Sequence, residues 1–437
     1  MQTTKQNIKS IFFLAVPIIV ENILQTLLGT TDTYFAGQLT DNAIAGIGVV
    51  NLIMNIFISF FTAITVGTTA IISRNYGRKD FEKVNHTIFH SMMMGIGLGC
   101  AIGIICSIFS RPILKLSGAD VAIIEYTLPY YWIVAVPCVV LCLQLVLSSC
   151  LRAIKDTKTP MYVTGAANII NIVLNIIFIR MGLGVFGLGL ATTLSRVISM
   201  TFLLWRLKKQ DKNVKLAVCP LKKSEFYSIL KIGIPAGTEK LIMRIGQLIY
   251  NAMIISIGTS AYVAHNIAGN IESYSYIPAM GFGLAVCTMV GVSLGENNIP
   301  QAKKITSLAY YITTGFMILI GIIFFVFAPQ LAALFTDTVE VQNLVVSVLR
   351  IIAFFQPFSA LVQIITNALQ GAGDTKFPMY STFIGIWGIR IGIGYLLAKY
   401  FSLGLIGVWS AYALDVTIRG FLLLGRFRRG KWQKISL

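Results

Sequence analysis

Charged residues are scarce in this chain of 437 residues. Only 12% of the residues are Asp, Glu, Lys or Arg, and 56% are hydrophobic. Soluble domains average about 25% charged and roughly 45–50% apolar residues. A soluble fold of this composition could not bury that much apolar surface, so the composition excludes an ordinary water-soluble protein.

The sequence also lacks the motifs of a metal site, a disulfide framework or a nucleotide-driven pump. Its seven cysteines lie in apolar segments, apart from Cys219 in a basic loop, and none forms a Cys-x-x-Cys pair, so we interpret them as packing residues. His86 and His90 have an i, i+4 spacing, but no third metal ligand accompanies them. No Gly-x-x-x-x-Gly-Lys-Ser/Thr loop occurs, which argues against an ATP-driven pump. We therefore expect no metal, no cofactor and no catalytic residues, and predict that the protein is not an enzyme.

Long apolar runs with few or no charges recur along the chain, for example at 91–110 and 307–328. A helix needs about 20 apolar residues to cross a bilayer core. The runs lack the alternation of barrel strands, and a helix pairs its own backbone groups in lipid, so α-helix is the spanning structure that fits. The sequence predicts an all-α membrane protein with twelve transmembrane helices. The predicted spans are 11–35, 42–73, 88–110, 122–150, 160–181, 183–206, 225–255, 262–293, 305–328, 342–369, 378–400 and 403–427.

Basic residues outnumber acidic ones by 35 to 17, and they cluster in short loops between the apolar runs. If the helices alternate, the basic loops fall on one side of the membrane, which is the positive-inside pattern and explains the charge better than a nucleic-acid partner does. We expect a multi-pass protein of the cytoplasmic membrane, embedded in lipid, with both termini cytoplasmic. The basic segments are 74–79, 152–158, 206–223, 303–304 and 426–431.

Several sequence landmarks recur at a nearly fixed offset. The motif Pro-x-x-x-Glu begins at Pro17 and again at Pro235, an offset of 218. Asp-Thr-Lys-x-Pro-Met-Tyr begins at Asp156 and at Asp374 with the same offset, and a Gly-x-x-Gly pair recurs at 184 and 404, an offset of 220. The sequence therefore predicts an internal duplication.

The duplication indicates how the chain is organised. Each half contains six predicted helices, so the halves enter the membrane from the same side and are related by a pseudo-two-fold axis along the membrane normal. We predict an N-terminal six-helix lobe at 1–206, a basic cytoplasmic linker at 207–224 and a C-terminal six-helix lobe at 225–437. Two such bundles form a cleft that can open to either side by rocking; a larger bundle without transport, or a channel, is the alternative.

Ionisable groups inside the predicted helices are functional candidates, because each costs about 2.5–3.5 kcal/mol on insertion scales. Asp32 stands among Gly29, Thr30, Thr31 and Thr33, which could supply ligands or hydrogen bonds. A buried carboxylate can exchange a proton near neutral pH, or bind a cation when ionised. Pro17, in mid-helix, frees a backbone carbonyl and could act as a hinge. The alternative is that Asp32 lies near the aqueous end of its helix and is merely solvated.

Three asparagines share one face of the predicted helix 160–181. Asn168, Asn171 and Asn175 are spaced three and four residues apart. Their amide oxygens could ligate a cation or a polar substrate, and interhelical hydrogen bonding is the alternative. In the second half, Tyr250 takes the position of Asp32, so the sequence predicts a coupling carboxylate in the first half only.

Further charges lie within predicted helices. We interpret them as a possible charge network that lines or locks the cleft, with structural ion pairing as the alternative. These residues are Glu21, Glu239, Arg244, Glu272, Arg390 and Asp415.

Taken together, the residues resemble the multidrug and toxic compound extrusion (MATE) family, in its DinF-like or a related bacterial branch. The resemblance covers nearly the whole chain and implies a cation-coupled antiporter that expels amphipathic, often cationic, compounds. It is carried by Pro17-x-x-x-Glu21, Asp32-Thr33, Ser73-x-x-Tyr76-Gly77, Leu151-Arg152, Asp156-Thr-Lys-Thr-Pro160, Gly233-Ile-Pro235, Gly295-Glu296, Gly371-Ala-Gly-Asp374-Thr-Lys-x-Pro378 and Trp387-x-x-Arg390.

The resemblance also implies roles for individual residues. Asp32 matches the family's helix 1 aspartate, which is tied to H⁺ or Na⁺ coupling, and Asn171, Asn175 and Thr192 match the other polar groups of a first-half ion site. Asn175 is an aspartate in some members, so the resemblance leaves the choice between the two ions open. Ser359 replaces a second-half carboxylate of some members, and Met243 replaces another, so we expect no second-half cation site of that kind.

Other functions compatible with the sequence belong to different classes. A flippase for a lipid-linked precursor would need basic groups that hold phosphates, and Arg196, Arg244 and Arg390 could supply them. A membrane channel or scaffold is a third possibility. Our first expectation is an antiporter that acts as a monomer on a small amphipathic substrate.

Overall fold

The computed structural model describes residues 3–209, 214, 216 and 218–435, and helices account for nearly all of the described chain. The helices follow one another with short connections. In chain order they are α1 (Thr4–Gly37), α2 (Asp41–Gly77), α3 (Phe81–Ile108), α4 (Ser110–Leu116), α5 (Val121–Val134), α6 (Cys138–Ala153), α7 (Lys158–Arg180), α8 (Gly184–Lys208), α9 (Lys223–Ile255), α10 (Thr259–Gly295), α11 (Ile299–Val326), α12 (Ala328–Ala333), α13 (Val339–Gly371), α14 (Lys376–Phe383) and α15 (Gly404–Arg428). Two π-helical stretches, Ile384–Ile393 and Leu396–Tyr400, continue α14, and a 3₁₀ turn, Lys431–Lys434, follows α15.

The described helices account for the twelve predicted spans. Ten helices are long and apolar enough to cross a membrane by themselves, and α5 with α6 makes an eleventh if the bent pair counts as one span. The remaining span is α9, which has 33 residues and carries Lys231, Glu239, Lys240 and Arg244. These charges lower its hydropathy without shortening it.

Two predicted helices differ in detail from the structure. The predicted helix 122–150 is not continuous, because α5 and α6 meet at a bend of 46° beside Pro137, which has no backbone N–H to donate. The predicted helix 378–400 widens into π turns from Ile384 onward. π turns are rare in proteins, and those that occur are often found at functional sites. This stretch contains Arg390.

The duplication extends to details that the sequence analysis did not predict. The short helices α4 and α12 begin 218 residues apart, at Ser110 and Ala328. Asp80 caps the start of α3 by accepting from the backbone N–H of Lys83, and Asn298 caps α11 in the same way. The two halves therefore share helix starts as well as helix order.

The described chain forms two compact units. One is Val20–Gly237, and the other combines the described residues of Met1–Ile19 with those of Thr238–Leu437. These boundaries differ from the predicted lobes, because the start of α1 belongs with the second half and the start of α9 with the first. Each boundary falls two residues after the proline of the repeated motif, Pro17 or Pro235. Of the predicted linker 207–224, residues 210–213, 215 and 217 lie outside the described residues.

Close helix contacts explain this exchange of helix starts. Gly281 in α10 packs directly against the backbone and side chain of Ile19, so a Cβ at position 281 would not fit. Ile11 and Leu14 of α1 join the same buried apolar cluster as Phe282. In the other unit, Gly233 of α9 meets the backbone of Ala63 in α2. Both helix starts are therefore parts of well-packed cores.

A pair of equivalent ion pairs joins the loops to the last helix of each half. Arg206 is near the end of α8, and its Nη2 lies 3.5 Å from Asp156 Oδ2. Arg426 is near the end of α15, and its Nε lies 2.7 Å from Asp374 Oδ2. The two aspartates are the first residues of the repeated Asp-Thr-Lys-x-Pro motif, which leads into α7 in the first half and into α14 in the second. The motif therefore links the start of α7 to the end of α8, and the start of α14 to the end of α15.

Candidate functional site

Asp32 lies in a buried polar cluster of the unit Val20–Gly237. Its side chain is only 3% exposed, so it is not the solvated carboxylate of the alternative interpretation. Thr192 Oγ1 of α8 donates to Asp32 Oδ2 at 2.7 Å, and Asn175 Nδ2 of α7 donates to Oδ1 at 3.3 Å. The hydroxyl of Tyr130, on α5, lies 3.5 Å from Oδ2. Four helices therefore meet at one carboxylate.

Asn171 connects the groups that surround Asp32. Its Nδ2 donates to Thr192 Oγ1 at 3.2 Å, and its Oδ1 accepts from Asn175 Nδ2 at 3.1 Å. The i, i+4 spacing of the two asparagines on α7 makes this contact possible. The structure thus brings together the four residues predicted for an ion site: Asp32, Asn171, Asn175 and Thr192.

Asn168, the third asparagine on this face, has a different role. Its Nδ2 donates to the backbone carbonyl of Leu24 at 2.7 Å and so holds α7 against α1. For Asn168 the alternative interpretation, an interhelical hydrogen bond, describes the geometry.

The cluster around Asp32 supplies oxygen atoms but no paired cation. Among the ion pairs of the described residues, none involves Asp32, although Arg196 on α8 is near enough to act on it electrostatically. Asn175 Oδ1 is buried without a hydrogen-bond partner. Carboxylate, amide and hydroxyl oxygens are the ligands that hard cations take. The arrangement can therefore accept either a proton on the carboxylate or a small cation among its oxygens.

Sequence reasoning missed Tyr130. The residue is fully buried within the predicted span 122–150, and a hydroxyl inside an apolar helix was the available signal. Its contact with Asp32 depends on the packing of α5 against α1, for which the sequence carries no local signal.

Glu21 and Pro17, both on α1, take separate positions. Arg152 Nη1 donates to both carboxylate oxygens of Glu21, at 2.9 and 3.0 Å, and the Glu21 side chain is fully buried. Pro17 lies inside α1, which continues through it. Glu21 is thus one half of an ion pair, and the role of Pro17 as a hinge stays a prediction.

Glu239 is the second-half counterpart of Glu21, but its surroundings differ. Gln370, which stands 218 residues after Arg152, donates to Glu239 Oε2 at 3.2 Å. Thr382 Oγ1 donates to Oε1 at 3.3 Å. Neutral donors therefore replace the arginine of the first half.

The other predicted charges of the second half separate into two groups. Arg390 Nη2 lies 2.6 Å from Asp415 Oδ2, and the hydroxyl of Tyr412 donates to Glu272 Oε1 at 2.9 Å. Arg244 is exposed, and its Nη1 donates to Gln247 Oε1 at 3.4 Å. This hydrogen bond does not involve Arg390, Asp415 or Glu272. Arg390 is neutralised by Asp415, which weakens the phosphate-binding role that a flippase would require of it.

The MatE family model matches the chain at residues 17–177 and again at 235–396, once in each half. Over 432 residues the chain is 31% identical to the "Probable multidrug resistance protein NorM" of Thermotoga maritima, which covers 98% of this chain and 93% of that protein. It is 28% identical over 430 residues to the "Uncharacterized transporter YisQ" of Bacillus subtilis, covering 97% of this chain and 94% of that protein.

Solved structures agree with these matches. A crystal structure of MATE in the bent conformation superposes with a TM-score of 0.92 at 25% identity, over 98% of this chain and 96% of the other. An outward-facing multidrug resistance MATE family transporter gives 0.90 at 24% identity, over 98% and 97%, and supports the fold. The predicted all-α, twelve-helix membrane fold is confirmed, and so is the family resemblance, while the DinF-like branch stays a prediction. The chain therefore belongs to the MatE family, a family of multi-span membrane transporters of small molecules and not of enzymes.

Proposed function

We propose that this protein is a cation-coupled antiporter that exports amphipathic, often cationic, compounds by alternating access. In this proposal H⁺ or Na⁺ binds at Asp32, with Asn171, Asn175 and Thr192 as the surrounding polar groups. The observation that carries the proposal is a buried carboxylate with several oxygen neighbours and no ion-pair partner among the described residues.

The physical argument is one of charge. An ionised carboxylate held away from water is costly, and binding of a proton or a cation removes that cost. A protein with two conformations of similar free energy shifts between them when one ligand binds them unequally. A charge change at Asp32 can supply such a bias of a few kcal/mol.

The substrate class in this proposal comes from the relatives. The Thermotoga maritima and Mannheimia succiniciproducens proteins are both described as probable multidrug resistance proteins. No polyphosphate-binding motif accompanies the polar groups, so a small organic compound fits the family better than a nucleotide.

The charge pattern of the loops supports the location and orientation in this proposal. We place the protein in the cytoplasmic membrane with both termini in the cytoplasm, as a monomer embedded in lipid. Reporter fusions at each end, one active only inside the cell and one only outside, test the orientation.

Efflux from proteoliposomes tests the proposal. Vesicles containing the purified protein and a fluorescent organic cation are given a proton gradient alone or a sodium gradient alone. We expect one gradient to drive dye movement in the wild type. We expect Asp32→Asn to abolish it, and Asp41→Asn, an exposed aspartate nine positions later, to preserve it.

Two results would contradict the proposal. Full ion-dependent efflux in Asp32→Asn would remove Asp32 from the coupling mechanism. Absence of ion-dependent dye movement in the folded wild type would instead favour the channel or scaffold alternative.

A further inference from the structure

Glu272 is a buried carboxylate of the second half that the proposed coupling mechanism does not use. We propose that Glu272 is a second proton-binding site, and that it carries its proton in the conformation described here. The site lies within the unit that contains Thr238–Leu437, and its existence does not depend on ion coupling at Asp32.

The surroundings of Glu272 are aromatic and neutral. Its side chain is 8% exposed on α10. The hydroxyl of Tyr412, on α15, lies 2.9 Å from its Oε1, and the hydroxyl of Tyr276 lies 3.3 Å from that of Tyr412. Among the ion pairs of the described residues, none involves Glu272. A phenol chain thus replaces the cation that a buried carboxylate normally requires.

Arg390 lies over the ring of Tyr412, whose hydroxyl contacts Glu272, but it is already paired with Asp415. Its Nε and Nη2 both reach Asp415 Oδ2, at 2.9 and 2.6 Å, and its guanidinium lies 4.0 Å from the ring centroid of Tyr412. Arg419 Nη2 binds the same oxygen of Asp415 at 3.0 Å. Two arginines therefore converge on Asp415, and neither forms an ion pair with Glu272.

The charges of the connected network balance only if one carboxyl group is protonated. Arg419 contacts Thr382 at 3.5 Å, and Thr382 donates to Glu239, so the network contains two arginines and three acidic residues. With every group ionised the network has one excess negative charge among buried side chains, which is costly. A single proton brings the sum to zero.

The other titratable groups around Glu272 do not supply the missing charge. Tyr250 faces Arg390 at 6.0 Å. The ring of His265 makes an edge-to-face contact with Tyr250 and a tilted contact with Trp409. On α13 the facing group is the neutral Gln356, which donates to Ser275. Two of the helices that pack on α10 are α11 and α13, and their charged residues are exposed: Lys303, Lys304, Glu340 and Arg350.

Glu272 and Glu239 differ in the hydrogen-bond donors that they contact. Glu239 accepts hydrogen bonds from Gln370 and from Thr382, and Arg419 in turn contacts Thr382. Donors to the ionised form favour ionisation. Glu272 has one phenolic donor, and a phenol can equally accept from a protonated carboxyl group.

The repeat supports a binding role rather than a structural one. Tyr412 lies 220 residues after Thr192, which is also the offset between the Gly-x-x-Gly pairs at 184 and 404. Tyr412 on α15 and Thr192 on α8 are therefore equivalent positions of the repeat. Thr192 donates to Asp32 and Tyr412 donates to Glu272. The first-half equivalent of Glu272 is Met54, so the fold does not require an acid at this position.

Infrared spectroscopy of the purified full-length protein in detergent tests the proposal without a transport assay. A protonated buried carboxyl group gives a carbonyl stretching band that shifts in D₂O. In an Asp32→Asn background, which removes any band from the Asp32 carboxyl group, we expect one such band at neutral pH, and we expect Glu272→Gln to remove it. Glu125→Gln is the matched control, because Glu125 is exposed and pairs with Arg111 at the surface.

Tyr412→Phe provides a second readout. Loss of the phenol should change the frequency of the band without removing it, which a purely structural effect would not do. A band that is unaffected in folded Glu272→Gln would overturn the proposal. If Glu272→Gln does not fold, an unchanged frequency in Tyr412→Phe overturns it. Either failure leaves the efflux test at Asp32 untouched.

Discussion

Thr192 Oγ1 donates a 2.7 Å hydrogen bond to Asp32 Oδ2, across 160 residues of chain. The contact joins the C-terminal part of α1 to α8. The equivalent residue of the second half, Tyr250, instead donates its hydroxyl to the backbone carbonyl of Val408 at 3.2 Å. A hydroxyl in this position has opposite consequences for the two candidate ions. It stabilises an ionised carboxylate against protonation, but it is a ligand for a bound cation.

Thr192→Val is therefore expected to identify the coupling ion. A hydrogen bond to a charged group contributes about 1.5–3 kcal/mol, so its loss should change ion affinity by roughly tenfold or more. For a proton-coupled protein, half-maximal efflux should need a lower proton concentration. For a sodium-coupled protein, it should need a higher sodium concentration.

Thr193→Val is the matched control for this prediction, because Thr193 donates to the backbone carbonyl of Ile133 and not to Asp32. The measurement is the ion dependence of dye efflux from proteoliposomes for both variants. Equal shifts in the two variants, or none in either, would contradict the role given to the Thr192 hydroxyl.

The ion pair Glu21–Arg152 predicts different stability effects at two equivalent positions. Glu21→Gln leaves the guanidinium of Arg152, whose side chain is only 15% exposed, without a counter-charge. We expect a loss of about 1–3 kcal/mol in the free energy of unfolding, below the range for a fully buried pair because Arg152 is partly solvated. Glu239→Gln faces the neutral Gln370 and should cost under about 1 kcal/mol.

Thermal unfolding of the two glutamate variants in one detergent tests this difference. A greater loss of stability in Glu239→Gln than in Glu21→Gln would show that the second-half carboxylate depends on Arg419 more than its direct contacts indicate.

Local periodicity was enough to predict part of the site. The i, i+4 spacing of Asn171 and Asn175 fixes a common face on any helix, and the structure has both side chains in one cluster. The contacts of Tyr130 and Arg152 were not predictable in this way, because they depend on which helices pack together. The sequence offers no local signal for such pairings.

Proline illustrates a second limit of prediction. Pro17, Pro235 and Pro278 all lie inside continuous helices, whereas the chain bends beside Pro137. The missing N–H is the same in each case, so tertiary packing decides whether the helix continues. The exchange of helix starts between the two halves is similar, since it depends on contacts such as Gly281 with Ile19.

Gly99→Ala is expected to destabilise the first-half unit. A Cβ at Gly99 in α3 would meet the Cα of Val139 in α6 at 2.5 Å, and backbone cannot move aside as a flexible side chain can. Overpacking of this kind costs about 1–3 kcal/mol. Gly97→Ala, two residues earlier on the same helix, meets nothing within 4 Å and should instead gain up to about 1 kcal/mol of helix propensity.

Melting temperatures in detergent compare the two alanine variants. Similar melting temperatures for Gly97→Ala and Gly99→Ala would mean that α3 and α6 separate easily, contrary to the close approach at Val139.

His90 anchors the end of the segment that connects α8 to α9. The backbone N–H of Lys222 donates to His90 Nε2 at 3.0 Å, and His90 Nδ1 lies 2.7 Å from the carbonyl oxygen of His86. The imidazole makes an edge-to-face contact with Phe226, with ring centroids 5.1 Å apart. His90→Ala removes the acceptor for Lys222, and a hydrogen bond of about 1 kcal/mol corresponds to roughly fivefold easier opening. Trypsin should therefore cut the purified protein after Lys222 about fivefold faster in this variant. His86→Ala keeps the backbone carbonyl and should be cut at the wild-type rate, so equal acceleration in both variants would show that the segment is held by something other than His90.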